Sequence, residues 1–166
     1  MTTMTTLTER DTELYRRHAD ELIRYATVLV GPADAPDVVT DAVLAAFGSR
    51  GWREVEHPRA YLFRSVLNTA TSWKRSAGRR QRREVVVAMR PITAPPAPDG
   101  EIDAHRALSH LSPQQRAIVY LAYWDDLTPA QIATTLGLTE GSVRKQLARA
   151  RAQLRSVLTR GGTDHA

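Results

Sequence analysis

The chain has 166 residues, a formal net charge of +5 and no cysteine. The absence of cysteine excludes a disulfide framework, a thiolate nucleophile and a cysteine zinc site. No apolar run approaches the roughly 20 residues needed to cross a bilayer, and the N-terminal MTTMTTLTERD has no signal-peptide pattern. We therefore expect a folded cytoplasmic protein without membrane insertion, as one domain or as two small ones with modest cores.

The first half of the chain predicts three helices. The first is expected from about Thr12 to Val30, because Gly31 and Pro32 form a helix stop signal. Asp34 is a plausible N-cap for a second helix that ends before Gly48. A loop, GSRGWREVEH, then precedes a third helix starting at Pro58, a residue suited to the first helical turn. The apolar positions of this third helix are Leu62, Phe63, Val66, Ala70 and Trp73.

Charge is distributed unevenly along the chain. Residues 1–64 carry 8 cations against 10 acids, whereas residues 74–83, KRSAGRRQRR, carry six cations and no acid. Residues 139–160 carry six cations against one acid. Two separate basic patches favour a protein that contacts nucleic acid twice. A solvated tail or a membrane-surface patch remains an alternative for residues 74–83, although they lack an apolar face.

The segment PITAPPAPDG, residues 91–100, is typical of a linker because its four prolines remove backbone donors. We therefore expect an all-α chain of two small helical domains, residues 10–83 and 103–160, joined by a linker at 84–102.

The C-terminal half carries two similar helix starts, LSPQQ at 111–115 and LTPAQ at 127–131. Each predicts a capping box with Ser or Thr at the N-cap, Pro at N1 and Gln at N3. After the second start, a short helix is expected to end at Gly137, and Thr139 is expected to cap the next helix. This spacing predicts a helix-turn-helix, whose second helix enters the DNA major groove. A helical hairpin without DNA function remains the alternative.

The last predicted helix, TEGSVRKQLARARAQLR, combines an apolar stripe with cations on its polar side. The stripe contains Val143, Leu147, Ala150 and Leu154, and Glu140 is the only acid in the segment. A polar face of one sign favours a polyanionic partner, because solvated faces usually mix charges.

Taken with the order of the two halves, these segments resemble the bacterial group IV, or extracytoplasmic-function, sigma factors. The resemblance spans about residues 11–158. LSPQQRAIVYLAYWDDLTPAQIATTLGLTEGSVRKQLARARAQLR is similar to their sigma-4 domain, and PADAPDVVTDAVLAAF with PRAYLFRSVLNTATSW is similar to their sigma-2 domain. The family implies binding to core RNA polymerase, at its clamp helices and flap, and to promoter DNA. It implies no catalytic residue, metal or cofactor in sigma itself, and family members are commonly held inactive by anti-sigma factors.

The resemblance implies three sets of contact residues. Ser142, Arg144, Lys145 and Arg149 match contacts to the duplex minus-35 element, and we assign Arg151 and Arg155, farther along the helix, to phosphates. The single-stranded minus-10 element is assigned to Trp52, Arg53, His57, Asn68, Lys74 and Arg75, with Trp52 offering a stacking face. Asp37, Thr40 and Asp41 match contacts to the clamp helices. Thr40 replaces the glutamine usual at its position in the family.

Two other classes of function stay open from the residues alone. A stand-alone regulator would use the same helix-turn-helix and an N-terminal dimerisation or sensing domain. A metalloenzyme would need a cluster such as Asp103, His105 and His110, but their spacing fits no standard ligand pattern.

Overall fold

The computed structural model describes residues 7–84 and 106–161, with the side chains of residues 7–76 and 106–160. Over these residues it is helical and contains no strand, which confirms the all-α prediction. The proline-rich segment at 91–100 lies outside the described residues. The elements are α1 (Glu9–Val30), α2 (Ala35–Phe47), a short 3-10 helix (Trp52–Glu54), α3 (Pro58–Glu84), α4 (Pro113–Tyr123), α5 (Pro129–Leu136) and α6 (Glu140–Gly161).

Helix α1 begins three residues before the predicted Thr12, because Thr8 and Asp11 form a capping box. The Asp11 amide donates to Thr8 Oγ1 at 3.2 Å, and the Thr8 amide donates to Asp11 Oδ2 at 3.1 Å. The predicted end is confirmed, since Gly31 follows Val30 with a φ of 91°. A positive φ of this kind favours glycine.

Asp34 occupies the N-cap position of α2 as predicted, but the expected side-chain capping bond is absent. The Asp34 backbone is helical, with φ −95° and ψ −16°. An N-cap residue normally has an extended backbone, from which its side chain can accept a hydrogen bond from the amide two or three residues later. The start at Pro58 is confirmed for α3.

The predicted signals of the second half are confirmed. Ser112 with Gln115 and Thr128 with Gln131 form reciprocal capping boxes at the starts of α4 and α5. Gly137 ends α5 in the left-handed conformation, with φ 69° and ψ 36°. Thr139 Oγ1 then accepts from the Ser142 amide at 3.2 Å. The segment therefore forms a helix-turn-helix of α5 and α6.

One continuous hydrophobic cluster contains buried residues from both halves of the chain. Helices α1, α2 and α3 pack together, α4 packs on α1 and α3, and α5 packs on α3. Leu22, Tyr25 and Phe63 from the first half are fully buried, as are Ile118 and Leu121 from the second. We call the boundary between residues 7–84 and 106–161 the seam. No helix within the described residues is long and apolar enough to cross a membrane.

Candidate nucleic-acid interface

Helix α6 is fastened by its apolar stripe and presents its cations to solvent. Val143 and Ala150 are fully buried, and Leu147 is buried at 6% exposure. Leu154 is half-buried, so the stripe loosens toward the end of the helix. The five cations assigned to DNA all have exposed side chains: Arg144, Lys145, Arg149, Arg151 and Arg155. The packing of α6 thus leaves its cationic face available to a polyanion.

Arg144 forms an ion pair with Glu140 one turn earlier, and the closest atoms are Arg144 Nη2 and Glu140 Oε1 at 2.6 Å. Both side chains are largely exposed, at 64% and 47%. An exposed pair of this type contributes only about 0.2–1 kcal/mol. The pair with Glu140 therefore orients the Arg144 guanidinium, and a base edge or a phosphate can still displace Glu140.

Ser142 has a different environment from the cations. It is half-buried, and its Oγ accepts a hydrogen bond from Gln146 Nε2 at 3.2 Å. Its backbone amide is held by the Thr139 cap. Ser142 therefore lies in the first turn of α6, where a recognition helix approaches base edges, with its hydroxyl already in contact with its own helix.

Tyr123, at the end of α4, holds Arg151, a contact that the sequence analysis did not predict. Arg151 Nε donates to the Tyr123 hydroxyl at 2.5 Å, and its guanidinium carbon lies 5.6 Å from the ring centroid. Tyr123 and the neighbouring Trp124 are exposed, at 56% and 66%. Exposed aromatic residues at a helix end were the available sequence signal, but Tyr123 lies 28 positions from Arg151 in the chain.

Trp52 does not offer the free stacking face that was expected of it. Its side chain is buried, at 4% exposure, and packs against Phe47 and Tyr61 with ring centroids 4.9 and 5.6 Å away. Its indole Nε1 donates to Asp11 Oδ1 at 2.7 Å. A buried indole needs such a partner, so Trp52 fixes the loop between α2 and α3 to the start of α1.

The carboxylate that receives this bond is ionised in the folded protein. Burial alone would raise the pKa of Asp11, but hydrogen bonds from Trp52 and Thr8 hold that pKa below its ordinary value. The loop is therefore attached through a charge-assisted hydrogen bond.

The remaining minus-10 candidates are exposed but do not all share one face. Arg53 and His57 lie in the loop, whereas Asn68 and Arg75 lie two helical turns apart on the same side of α3. Lys74 lies on a different side, where partial loss of hydration and the positive charge of Arg116 on α4 lower its pKa although the residue as a whole is exposed. The structure therefore places Asn68 and Arg75 on one side of α3, two turns apart, and directs Lys74 toward the second half of the chain.

Three polar residues of α2 form one exposed face, which we call the acidic face: Asp37, Thr40 and Asp41. Their spacing of three and four residues places them on adjacent turns. Thr40 Oγ1 donates to the Pro36 carbonyl oxygen at 2.9 Å, so its hydroxyl proton is used within the helix. Leu44, 49% exposed, continues the same face by one turn. Carboxylates beside an exposed leucine suit a protein partner carrying arginines.

The metal-cluster alternative gains no support from the part of the chain that the structure describes, where no group of three His, Asp or Glu side chains is arranged to hold a metal ion. His110 is exposed there. Asp103 and His105 lie outside the described residues.

Comparison with known proteins matches both halves of the chain. The family model described as Sigma-70 region 2 matches residues 14–80, and Sigma-70, region 4 matches residues 102–154. RNA polymerase sigma-E factor of Streptomyces coelicolor is 36% identical over 156 residues, covering 88% of this chain and 84% of the relative. ECF RNA polymerase sigma factor SigL of Mycobacterium tuberculosis is 34% identical over 160 residues, covering 87% and 86%.

Two solved structures share the fold. The sigma factor RpoE of Bartonella quintana, crystallised with the anti-sigma factor NepR, superposes with a TM-score of 0.69 at 23% identity, covering 92% of this chain and 98% of that chain. CnrH, in complex with the cytosolic domain of CnrY, superposes with a TM-score of 0.62 at 24% identity, covering 93% and 92%. With curated relatives matched over most of their length, the chain belongs to the extracytoplasmic-function (ECF) family of RNA polymerase sigma factors.

Proposed function

We propose that this chain binds core RNA polymerase and directs it to promoters, with residues 10–83 and 103–160 acting as two domains joined by a linker at 84–102. The observation that carries the proposal is that one chain has two different exposed surfaces, a cationic recognition helix, α6, and the acidic face on α2. The first suits DNA and the second suits a protein. In this proposal the polymerase carries out the chemistry in the cytoplasm, and the sigma chain supplies no catalytic group.

The minus-35 duplex is assigned to α6. Arg144, Lys145 and Arg149 lie in its first half, within reach of base edges when the helix enters the major groove, together with Ser142. Arg is suited to guanine, whose O6 and N7 accept two parallel hydrogen bonds. Arg151 and Arg155 lie in the second half of the helix and are assigned to phosphates. The contact with Tyr123 supports this role for Arg151, since it holds the guanidinium beside the helix.

The minus-10 element is assigned to the loop before α3 and to α3 itself. Arg53, His57, Asn68 and Arg75 are exposed and supply cations and hydrogen-bonding groups for an unpaired strand. Lys74 contributes charge at the side of α3 that faces α4. Trp52 keeps a role in this site as a positioning residue, because its hydrogen bond to Asp11 attaches the loop to the start of α1.

Asp37, Thr40 and Asp41 are assigned to the contact with the clamp helices of the polymerase. The second domain, residues 103–160, is assigned to the flap. The B. quintana RpoE structure contains an anti-sigma factor, which supports a search for a protein inhibitor of this chain by co-purification.

Transcription with purified components tests the proposal. The protein is added to core polymerase on a library of genomic promoter fragments, and we expect transcripts that start at a defined subset of promoters. The competing function is a stand-alone helix-turn-helix regulator. If no promoter gives a transcript while the protein alone shifts duplex DNA tightly, the regulator is favoured and the sigma proposal fails.

A further inference from the structure

Tyr123 has a fixed backbone although its side chain is exposed. It is the last residue of α4, and the amide of the next residue, Trp124, donates to the Tyr120 carbonyl oxygen at 2.8 Å. Tyr120 is buried, and the Trp124 ring stacks on it with an interplanar angle of 14° and ring centroids 6.2 Å apart. The end of α4 is therefore held by the core, whereas the Tyr123 side chain stays accessible from solvent.

The Tyr123 hydroxyl lies against the guanidinium of Arg151 on α6. The bond from Arg151 Nε, at 2.5 Å, uses only one of the five N–H donors of a guanidinium. The hydroxyl keeps its own proton to donate, and accepting a bond from a cation makes it a stronger donor. The pair therefore presents several hydrogen-bond donors and one positive charge to solvent, and these are the groups that bind a phosphate.

Arg151 lies on the same side of α6 as Arg144. The two residues are seven positions apart, which corresponds to about two turns and to about 10 Å along the helix axis. This distance is comparable with the width of the major groove, about 12 Å. If Arg144 contacts base edges inside the groove, Arg151 and Tyr123 therefore lie at the groove edge, where the phosphates are.

The turn after α4 carries two acids, and neither cancels the charge of Arg151. Asp125 is 14% exposed, and its Oδ2 pairs with Arg59 Nη2 on α3 at 2.7 Å. Asp126 is exposed, so solvent and salt weaken its repulsion of an anion. Arg155, one turn after Arg151, adds a second exposed cation. The local charge around the pair therefore favours an anionic ligand.

We propose that Tyr123 and Arg151 together form one phosphate-binding site at the groove edge, which we call the phosphate site. The Tyr123 hydroxyl accepts from Arg151 Nε and donates its proton to a phosphate oxygen, and the Arg151 Nη groups donate to the same phosphate. The inference deepens the proposed function and rests on it, because the phosphate belongs to the minus-35 duplex. The site reads no base, so it contributes alike on every sequence. Because Tyr123 holds the guanidinium in advance, Arg151 loses less conformational freedom on binding.

A double-mutant cycle tests the phosphate site. Tyr123→Phe removes only the hydroxyl, Arg151→Ala removes the guanidinium, and a third variant carries both changes. The matched control is Tyr15→Phe, which removes the hydroxyl of another exposed tyrosine, on α1. Binding to a labelled promoter duplex is measured at several salt concentrations, both for the full chain assembled with core polymerase and for the full chain alone.

Tyr123→Phe should weaken DNA binding about three- to tenfold in the parent, but by less than about twofold when residue 151 is already Ala. The second loss is smaller because the hydroxyl and the guanidinium bind one phosphate. The slope of the logarithm of the binding constant against the logarithm of salt concentration should fall by about one for Arg151→Ala. It should keep the parental value for Tyr123→Phe, because the hydroxyl carries no charge. Tyr15→Phe should match the parent in both measurements.

Three results would overturn the phosphate site. The first is unchanged DNA binding by Tyr123→Phe, and the second is an equal loss for this change in both backgrounds. The third is weaker assembly with core polymerase in place of weaker DNA binding, which would assign Tyr123 to a protein contact. If the parent with core polymerase gives no promoter-dependent transcript, the proposed function fails. The cycle with the full chain alone then still decides whether Tyr123 and Arg151 share a phosphate, and no binding to duplex DNA in either form would reject the site.

Discussion

Asp11 completes the capping box of α1 and also accepts the hydrogen bond of the buried Trp52 indole. Asp11→Ala should therefore lower the free energy of unfolding by about 2–4 kcal/mol, combining a lost cap with a buried donor left unpaired. Urea denaturation of the full chain measures this loss. Glu9→Ala, in the same helical turn but exposed, is the matched control. Equal midpoints for the two variants would show that the Trp52 bond contributes no stability.

The cations of α6 should divide into two classes when each is replaced. Arg144→Ala should cost about 1–3 kcal/mol at one promoter position and relax the preference for that base. Arg151→Ala should weaken binding to all sequences alike. It should also reduce the slope of the logarithm of the binding constant against the logarithm of salt concentration by about one. Binding to single-base promoter variants at several salt concentrations separates these outcomes. Equal losses on every sequence for both variants would contradict the base contact of Arg144.

Helix α2 presents the acidic face as a unit, so a charge reversal on it tests the whole element. Asp41→Arg should abolish co-purification with core polymerase and leave the fold intact, because Asp41 is exposed and the buried side of α2 is unchanged. Asp20→Arg, an exposed reversal on α1, controls for net charge. Unchanged co-purification of the Asp41 variant would remove the acidic face from the interface.

Several helix boundaries were predictable because their signals lie within one turn, although the box of Thr8 and Asp11 at the start of α1 was missed. The boxes at Ser112 and Thr128 and the stop at Gly137 depend on residues at most four positions apart, and all three were confirmed. Trp52 was misjudged because its partner, Asp11, lies 41 residues away. The seam was missed for the same reason, since 66 residues separate Arg59 from Asp125. Contacts over such distances are decided by how helices pack, which periodicity and capping motifs do not specify.

Across the whole molecule, the seam places a carboxylate where acid should weaken the fold. Burial alone would raise the pKa of Glu21, but hydrogen bonding and charge from Arg59, with a contribution from His18, lower it below its ordinary value of 4.5. His18 Nδ1 lies 3.5 Å from Glu21 Oε2, and Asp125 shares Arg59 from the second half. Because the folded pKa is the lower one, the stabilisation is present above the unfolded pKa and is lost as the pH falls through the folded pKa.

Between about pH 5 and pH 3.5, the parent chain should therefore lose more of its free energy of unfolding than Glu21→Gln, which has no carboxylate at this position to protonate. Urea denaturation at half-unit pH steps gives the two slopes. Glu13→Gln, exposed on the same helix, should retain the parental slope. Parallel pH slopes for the parent and Glu21→Gln would show that Glu21 does not couple acid to the free energy of unfolding.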